Sequence, residues 1–266
     1  MPKSKLKSLY ILILIVIIAA VIITLVEDPT NISLLVKGGV LIVGYIAAIT
    51  SLERKRRAAY IKHYEKKYDD MICHSFVNDP SSRKKLMDAI ILYNSDRYDA
   101  AVAKLDDLRK HCTTPADHSG VLIFRALCFD ERNLREEAIR TYEEFLKYDD
   151  QNSRAWSNLG LNYAKDGDYD RAENAYRNAI RADDQYVNAY INYASLLLDV
   201  EEMEEAMECL EKALKIDDKQ QTALSFAYIA CARLEENDKA REYLDRYVAA
   251  GGDRSKLEAI INLDEE

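Results

Sequence analysis

Hydrophobic side chains follow two different patterns in this chain. Near the N-terminus they form two almost continuous runs: residues 9–26 carry no charged side chain, and residues 34–52 are interrupted only by Lys37. A helix of 18 residues is roughly 27 Å long, close to the ~30 Å hydrocarbon core of a bilayer. The pattern predicts a two-helix transmembrane hairpin over residues 1–52, with spans at about 9–26 and 34–52.

Basic residues on either side of the hairpin predict its orientation. Lys3, Lys5 and Lys7 precede the first run, and four consecutive basic residues at 54–57 follow the second. Because cytoplasmic flanks are enriched in Lys and Arg, both termini are expected in the cytoplasm, at the cell membrane if the protein is bacterial. A cleaved signal peptide is the alternative, although its apolar region is usually only about 7–15 residues long.

Residues 53–81 are predicted to be a basic juxtamembrane helix or linker. Between positions 52 and 67 there are seven basic and two acidic residues, and Tyr60, Tyr64 and Tyr68 recur every four positions. The stripe is compatible with an amphipathic helix on anionic lipid. The favoured interpretation is a positively charged flank whose tyrosines pack on the following domain.

From residue 82 onward the pattern changes to a repeat. Alanines recur at positions 101, 138, 172, 206 and 240, so that three of the four intervals are identical and the first is slightly longer. A period of this length is typical of helix pairs that bury their apolar faces only by stacking on neighbours. Five pairs are predicted over 82–254, at 82–115, 119–152, 153–186, 187–220 and 221–254. Residues 255–266 are predicted to form a capping helix with an acidic tail. The predicted fold is therefore all-α, a hairpin followed by an α-solenoid.

The unit 153–186 shows the repeat signature most clearly, with small and bulky residues at fixed positions. These are Trp156, Leu159, Gly160, Tyr163, Ala172, Tyr176 and Ala179. The unit resembles the tetratricopeptide repeat (TPR) family, except that Asp184 stands where that family has a closing proline. The resemblance implies a solenoid that binds protein or peptide partners.

The resemblance also implies where a partner would bind, because the first helix of each TPR pair lines the groove. Asn158 and Asn192 share one slot in successive repeats, and Phe124 and Phe226 hold it in the flanking repeats. Arg154 and Asn188 lie four positions before the two asparagines, and Asn162 lies one turn after the first of them. This set looks like the asparagine ladder of long TPR superhelices, since a carboxamide can pair with any peptide backbone. The alternative is that the asparagines simply face solvent.

Composition and motifs argue against the other function classes. Residues 119–266 carry 19 basic and 33 acidic side chains, so nucleic acid is not an expected partner. Five scattered cysteines fit a reducing compartment rather than a disulfide framework. No nucleotide-binding, hydrolase or metal-binding motif is present, so we expect no enzyme activity, cofactor or metal. The expected function is a membrane-anchored scaffold that binds a partner protein and contacts lipid through its hairpin. The alternative is an accessory subunit of a membrane complex, with the hairpin as its main contact.

Overall fold

The structure, a computed structural model, describes residues 32–264 together with Ile13, Ile15, Val16 and Ile18. The chain divides into two units, residues 1–67 and 68–266. In its described part the fold is all-α.

The described part of the first unit is dominated by one long helix, α1 (Ile32–Lys67). It runs without a break through the predicted boundary at residue 52, so the apolar and basic stretches belong to one helix. Among the residues that the structure describes, no helix combines the length and hydropathy needed to cross a bilayer. The predicted second span at 34–52 is therefore not supported. The predicted first span, apart from the four residues named above, lies outside the described residues.

The second unit begins with a short segment and continues as antiparallel helix pairs. The segment contains α2 (Asp69–Ile72) and ends at Asp79, whose side chain caps the next helix by accepting from the amides of Ser81 and Ser82. The pairs are α3 (Pro80–Tyr93) with α4 (Tyr98–Arg109), α5 (Pro115–Glu131) with α6 (Arg135–Phe145), α7 (Ser153–Lys165) with α8 (Tyr169–Ala182), α9 (Val187–Asp199) with α10 (Met203–Ile216), and α11 (Gln221–Arg233) with α12 (Asn237–Ala249). A last helix, α13 (Arg254–Asp264), packs on α11 and α12.

The backbone repeats as regularly as the sequence does. Each turn between the two helices of a pair contains one residue with a left-handed φ: Asp96, Asn133, Gly167, Glu201 and Glu235, with φ between 55° and 81°. Each of these residues lies five positions before the alanine of its repeat, so the turns and the alanines share one spacing. The left-handed residue ends each first helix and reverses the chain. Only Gly167 adopts this conformation without a side-chain penalty.

Small residues allow the two helices of a pair to approach closely, as the sequence suggested. Ala138, Ala172 and Ala206 are fully buried at equivalent positions of successive second helices. A Cβ placed on Gly160 would lie 2.7 Å from the ring of Tyr176, so only glycine fits where α7 meets α8. Leu257 of α13 is buried as well, and it closes the C-terminal end of the stack.

Candidate functional site

The first helices of the pairs present two parallel rows of side chains. Members of one row lie four positions before members of the other, which places both on one helix face. The Arg154 row consists of Arg83, Gly120, Arg154, Asn188 and Thr222. The Asn158 row consists of Met87, Phe124, Asn158, Asn192 and Phe226. We call this surface the first-helix face.

Asn158 belongs to a hydrogen-bonded cluster that joins two repeats. Its Nδ2 donates to the hydroxyl of Tyr142 at 3.0 Å, and that hydroxyl donates to a carboxylate oxygen of Asp130. The Nδ2 of Asn162 donates to the other oxygen of Asp130 at 2.7 Å and to the backbone carbonyl of Asn158 at 2.9 Å. The cluster therefore fixes the orientation of Asn158 and ties α7 to α5 and α6.

Burial dominates the electrostatics of this cluster. Removal from water raises the pKa of Asp130 above the usual carboxyl range, although the hydrogen bonds from Tyr142 and Asn162 act in the opposite direction. Burial also raises the pKa of Tyr142 well above its ordinary value, and the neighbouring Asp130 adds to the shift. The Tyr142 hydroxyl therefore stays protonated and acts as a donor to the carboxylate.

Asn192 occupies the equivalent slot of the next repeat, where it makes a different contact. Its Nδ2 donates to the hydroxyl of Ser157 at 3.0 Å, so this amide also bridges two repeats. Among the described residues, no group donates to the side-chain carbonyl oxygen of Asn158 or Asn192. Each amide is thus oriented by one internal bond and keeps an acceptor for a ligand.

A cleft lies between the first helices α7 and α9, and Tyr169 and Tyr176 of α8 also line it. Its volume is about 190 Å³. Its polar lining includes Lys165, Asn192, Ser195 and Asp199, and Leu161 contributes apolar surface. Asn192 thus belongs to both the Asn158 row and this cleft, which can offer a peptide hydrogen-bond donors, acceptors and charges of both signs.

Two comparisons of the sequence with family models agree with this geometry. The model described as tetratricopeptide repeat matches residues 163–227, and a second model of the same description matches residues 125–172. The chain contains tetratricopeptide repeats. No curated protein matches the sequence significantly.

Solved structures of other proteins share the fold over about two thirds of this chain. A crystal structure of MamA is 19% identical and covers 61% of this chain and 94% of its own, with a TM-score of 0.56. YrrB, described as a TPR protein with an unusual peptide-binding site, is 18% identical over 65% of this chain and 88% of its own, with a TM-score of 0.54. PilF of Pseudomonas aeruginosa is 18% identical over 67% of this chain and 80% of its own, with a TM-score of 0.58. At these identities the likeness shows the fold alone.

The TPR first-helix face holds the predicted binding residues in different environments. Arg154 and Asn188 are exposed, Asn158, Asn192 and Phe226 are half-buried, and Asn162 is buried in the Asp130 cluster. Phe124 is 0% exposed and packs against Tyr68 and Tyr93, so the chain itself covers it, and its role as a contact for a partner stays a prediction. The predicted signature residues Trp156, Gly160, Tyr163, Ala172, Tyr176 and Ala179 lie in the α7–α8 pair.

One feature of the TPR site did not appear in the sequence pattern, and a second appeared only as the alternative that the tyrosine stripe packs on the following domain. Asp130 and Tyr142 carry the cluster that orients Asn158, and the contacts of Asp130 with Tyr142 and Asn162 join different helices. The segment Tyr68–Phe76 covers part of the first-helix face. The four-position spacing of its apolar residues Tyr68, Ile72 and Phe76 was the available signal for this contact.

On another side of the solenoid two clefts recur with the repeat. All nine residues that line the first, from Glu143 to Asn178, have counterparts one repeat later in the second, from Arg177 to Lys212. Such a recurrence follows from stacking identical helix pairs. The clefts therefore reflect TPR geometry rather than a dedicated ligand site.

Proposed function

We propose that this protein is an interaction scaffold that binds an extended peptide of a partner protein on the first-helix face of α7, α9 and α11. The observation that carries the proposal is the pair of oriented asparagines, Asn158 and Asn192. Each amide has a fixed position and a carbonyl oxygen that no described group uses. An extended peptide offers backbone N–H groups along its length, so the two acceptors can bind a chain of any sequence.

The rest of the face supports the same function. Arg154 and Asn188 are exposed beside the two asparagines, and Phe226 offers a half-buried aromatic ring at the far end. TPR proteins are generally non-catalytic scaffolds, and the similar protein YrrB has a peptide-binding site. The asparagines of α7 and α9 can bind a peptide backbone, and Phe226 on α11 can bind an apolar side chain. This combination suits a peptide rather than a small molecule.

The test is an array of short overlapping peptides probed with the full-length chain. We expect Asn158→Ala combined with Asn192→Ala to weaken binding about tenfold or more, because each lost hydrogen bond is worth about 0.5–1.5 kcal/mol. Helicity measured by circular dichroism should stay at the wild-type level at the assay temperature.

Asn174→Ala combined with Asn178→Ala is the matched control. These asparagines lie on the second helix α8, away from the Asn158 row. Peptide binding should survive this pair of changes. Equal losses in the two double variants, or no loss in either, would show that the asparagine pair is not the binding element.

We also propose that residues 9–26 attach the scaffold to a membrane. This run contains no charged side chain. The exposed fractions of Ile15 and Val16, 55% and 59%, leave apolar surface that lipid would cover. The basic side chains at 54–57 are exposed as well, and such a cluster binds anionic headgroups.

The rival function, an accessory subunit of a membrane complex, makes the N-terminal segment the main contact. Replacing residues 9–26 by an unrelated apolar run of equal length separates the two. A scaffold that needs only attachment keeps its function after this exchange. A subunit that uses this segment to bind a membrane partner loses it.

A further inference from the structure

The chain's own segment Tyr68–Phe76 lies on the first-helix face of the first repeats. It contacts three successive members of the Arg154 row. Arg83 donates through Nη1 to the carbonyls of Ser75, at 2.8 Å, and of Ile72. Gly120 lies so close to Ser75 that a Cβ there would collide with the serine side chain. Arg154 places its Nη1 3.6 Å from the sulfur of Met71.

The segment also contacts Phe124, a member of the Asn158 row. The ring of Tyr68 meets the ring of Phe124 edge-on, with 5.0 Å between centroids. The Tyr68 hydroxyl donates to Oδ1 of Asn94 at the end of α3, at 2.9 Å. Met87 and Phe124 are both buried, whereas Asn158, Asn192 and Phe226 of the later repeats remain partly exposed. The same face is thus occupied over α3 and α5 and open beyond them.

Polar contacts of the kind that hold bound peptides anchor the end of the segment. The amide of Phe76 donates to Oδ1 of Asp117 at 2.6 Å, and the hydroxyl of Ser75 donates to the carbonyl of Ala116 at 2.8 Å. Ile72 and Phe76 are almost completely buried. Phe76 has a φ of 52°, a left-handed conformation that is unfavourable for a bulky aromatic residue.

We propose that α3 and α5 form a second peptide-binding site, and that Tyr68–Phe76 is a ligand that fills it from within the chain. The ligand class is a short peptide with aromatic, aliphatic and aromatic side chains at four-position spacing. The proposal rests on the proposed function, because it takes the first-helix face as the binding surface. It adds a regulation: a partner peptide that extends past α7 onto α5 has to displace the chain's own segment.

The experiment supplies the segment as a separate molecule. The probe is a fluorescent peptide of residues 67–79 with Cys73→Ser, titrated into the full-length protein and followed by anisotropy. Wild type should bind it poorly, because the tethered segment competes at an effective concentration on the order of millimolar. The variant Ile72→Asp with Phe76→Asp should release its own segment and bind the probe about tenfold more tightly or better.

Gly120→Ala, added to that double variant, is the matched control for the site itself. Its methyl group takes the space of the Ser75 side chain, so binding of the probe should be lost. A double variant that melts like wild type but does not bind the probe would overturn the proposal. So would a wild type that binds the probe as tightly as the double variant.

Hydrogen exchange on the wild-type chain keeps the test decisive if the double variant does not fold. The amides of residues 71–76 should exchange through a local opening that leaves α3 and α5 protected. Exchange of the segment together with these helices would mean that it is core structure and not a ligand. Asn158→Ala with Asn192→Ala leaves the contacts of the segment intact. A negative result in the peptide array would therefore count against the asparagine pair, and a negative result with the probe would count against the second peptide-binding site.

Discussion

At the scale of single residues, the Tyr142 hydroxyl gives a prediction with a built-in control. It donates to the half-buried Asp130 and accepts from Asn158, so Tyr142→Phe leaves that carboxylate with one partner fewer. We expect the free energy of unfolding to fall by about 1–3 kcal/mol in urea titrations. Tyr176 holds the equivalent position, and its hydroxyl has no hydrogen-bond partner among the described residues. Tyr176→Phe should therefore change stability by less than about 0.5 kcal/mol. Equal losses of unfolding free energy in the two variants would show that the hydrogen bonds of the Tyr142 hydroxyl do not stabilise the protein.

The same cluster shows how far single residues could be predicted. The shared slot of Asn158 and Asn192 follows from the repeat and could be read directly from the sequence. Their hydrogen bonds to Tyr142 and Ser157 could not be predicted from the sequence, because the partners lie on neighbouring helices. Phe124 shows the same limit, because its burial depends on Tyr68, which precedes the whole first repeat in the chain.

At the scale of helices, the repeat and its turns could be predicted from the sequence, but the C-terminal end of α1 could not. Period and turn composition come from residues close in sequence, and these predicted the helix pairs after residue 82. The continuous helix α1 crosses the expected boundary at residue 52 because nothing in residues 53–57 breaks a helix. Long polar residues have good helix propensity, so a change from apolar to basic side chains does not end the helix.

The start of α5 has two functions, and they give a pH-dependent prediction. Thr114 and Asp117 form a capping box, and Asp117 also accepts from the amide of Phe76. Burial favours the neutral form, but the hydrogen bonds from Phe76, Thr113 and Thr114 outweigh it and lower the pKa of Asp117 below 3.8. A carboxyl whose pKa is lowered by folding stabilises the protein above its unfolded pKa, and this contribution disappears as the pH falls through the folded pKa.

We therefore expect Asp117→Asn to lower stability by about 1.5–3 kcal/mol near neutral pH, as measured by thermal melts. The difference from wild type should narrow as the pH falls from about 5 to about 2, because the wild-type carboxyl is then protonated. Asp170→Asn is the control, since Asp170 is an exposed carboxylate in the first turn of α8. A difference that stays constant over this range would mean that the Asp117 charge does not hold Phe76.

At the scale of the whole molecule, charge and hydropathy are divided between the two ends of the chain. Residues 1–118 carry 18 basic and 13 acidic side chains, whereas residues 119–266 carry 19 and 33. The acidic excess lies on the repeats, which bury their apolar residues against each other. The second unit exposes a few widely separated aliphatic side chains such as Val77, whereas the described part of the N-terminal unit exposes several close together in sequence, including Val43 with an exposed fraction of 67%. Such exposure is unusual for a chain surrounded by water, and it singles out this end as the one that contacts something else.

Membrane attachment through residues 9–26 can be tested by placing charge in each apolar run separately. Val16→Arg with Ile18→Arg should move the full-length protein from the membrane pellet to the soluble fraction, because an arginine at the centre of an inserted helix costs about 2.5–3.5 kcal/mol. The matched variant, Val43→Arg with Ile46→Arg, changes exposed positions of α1, outside the proposed attachment segment. It should stay in the pellet. Release by the α1 substitutions alone would place the attachment in that helix, and a wild-type protein that stays in the supernatant would rule out attachment altogether.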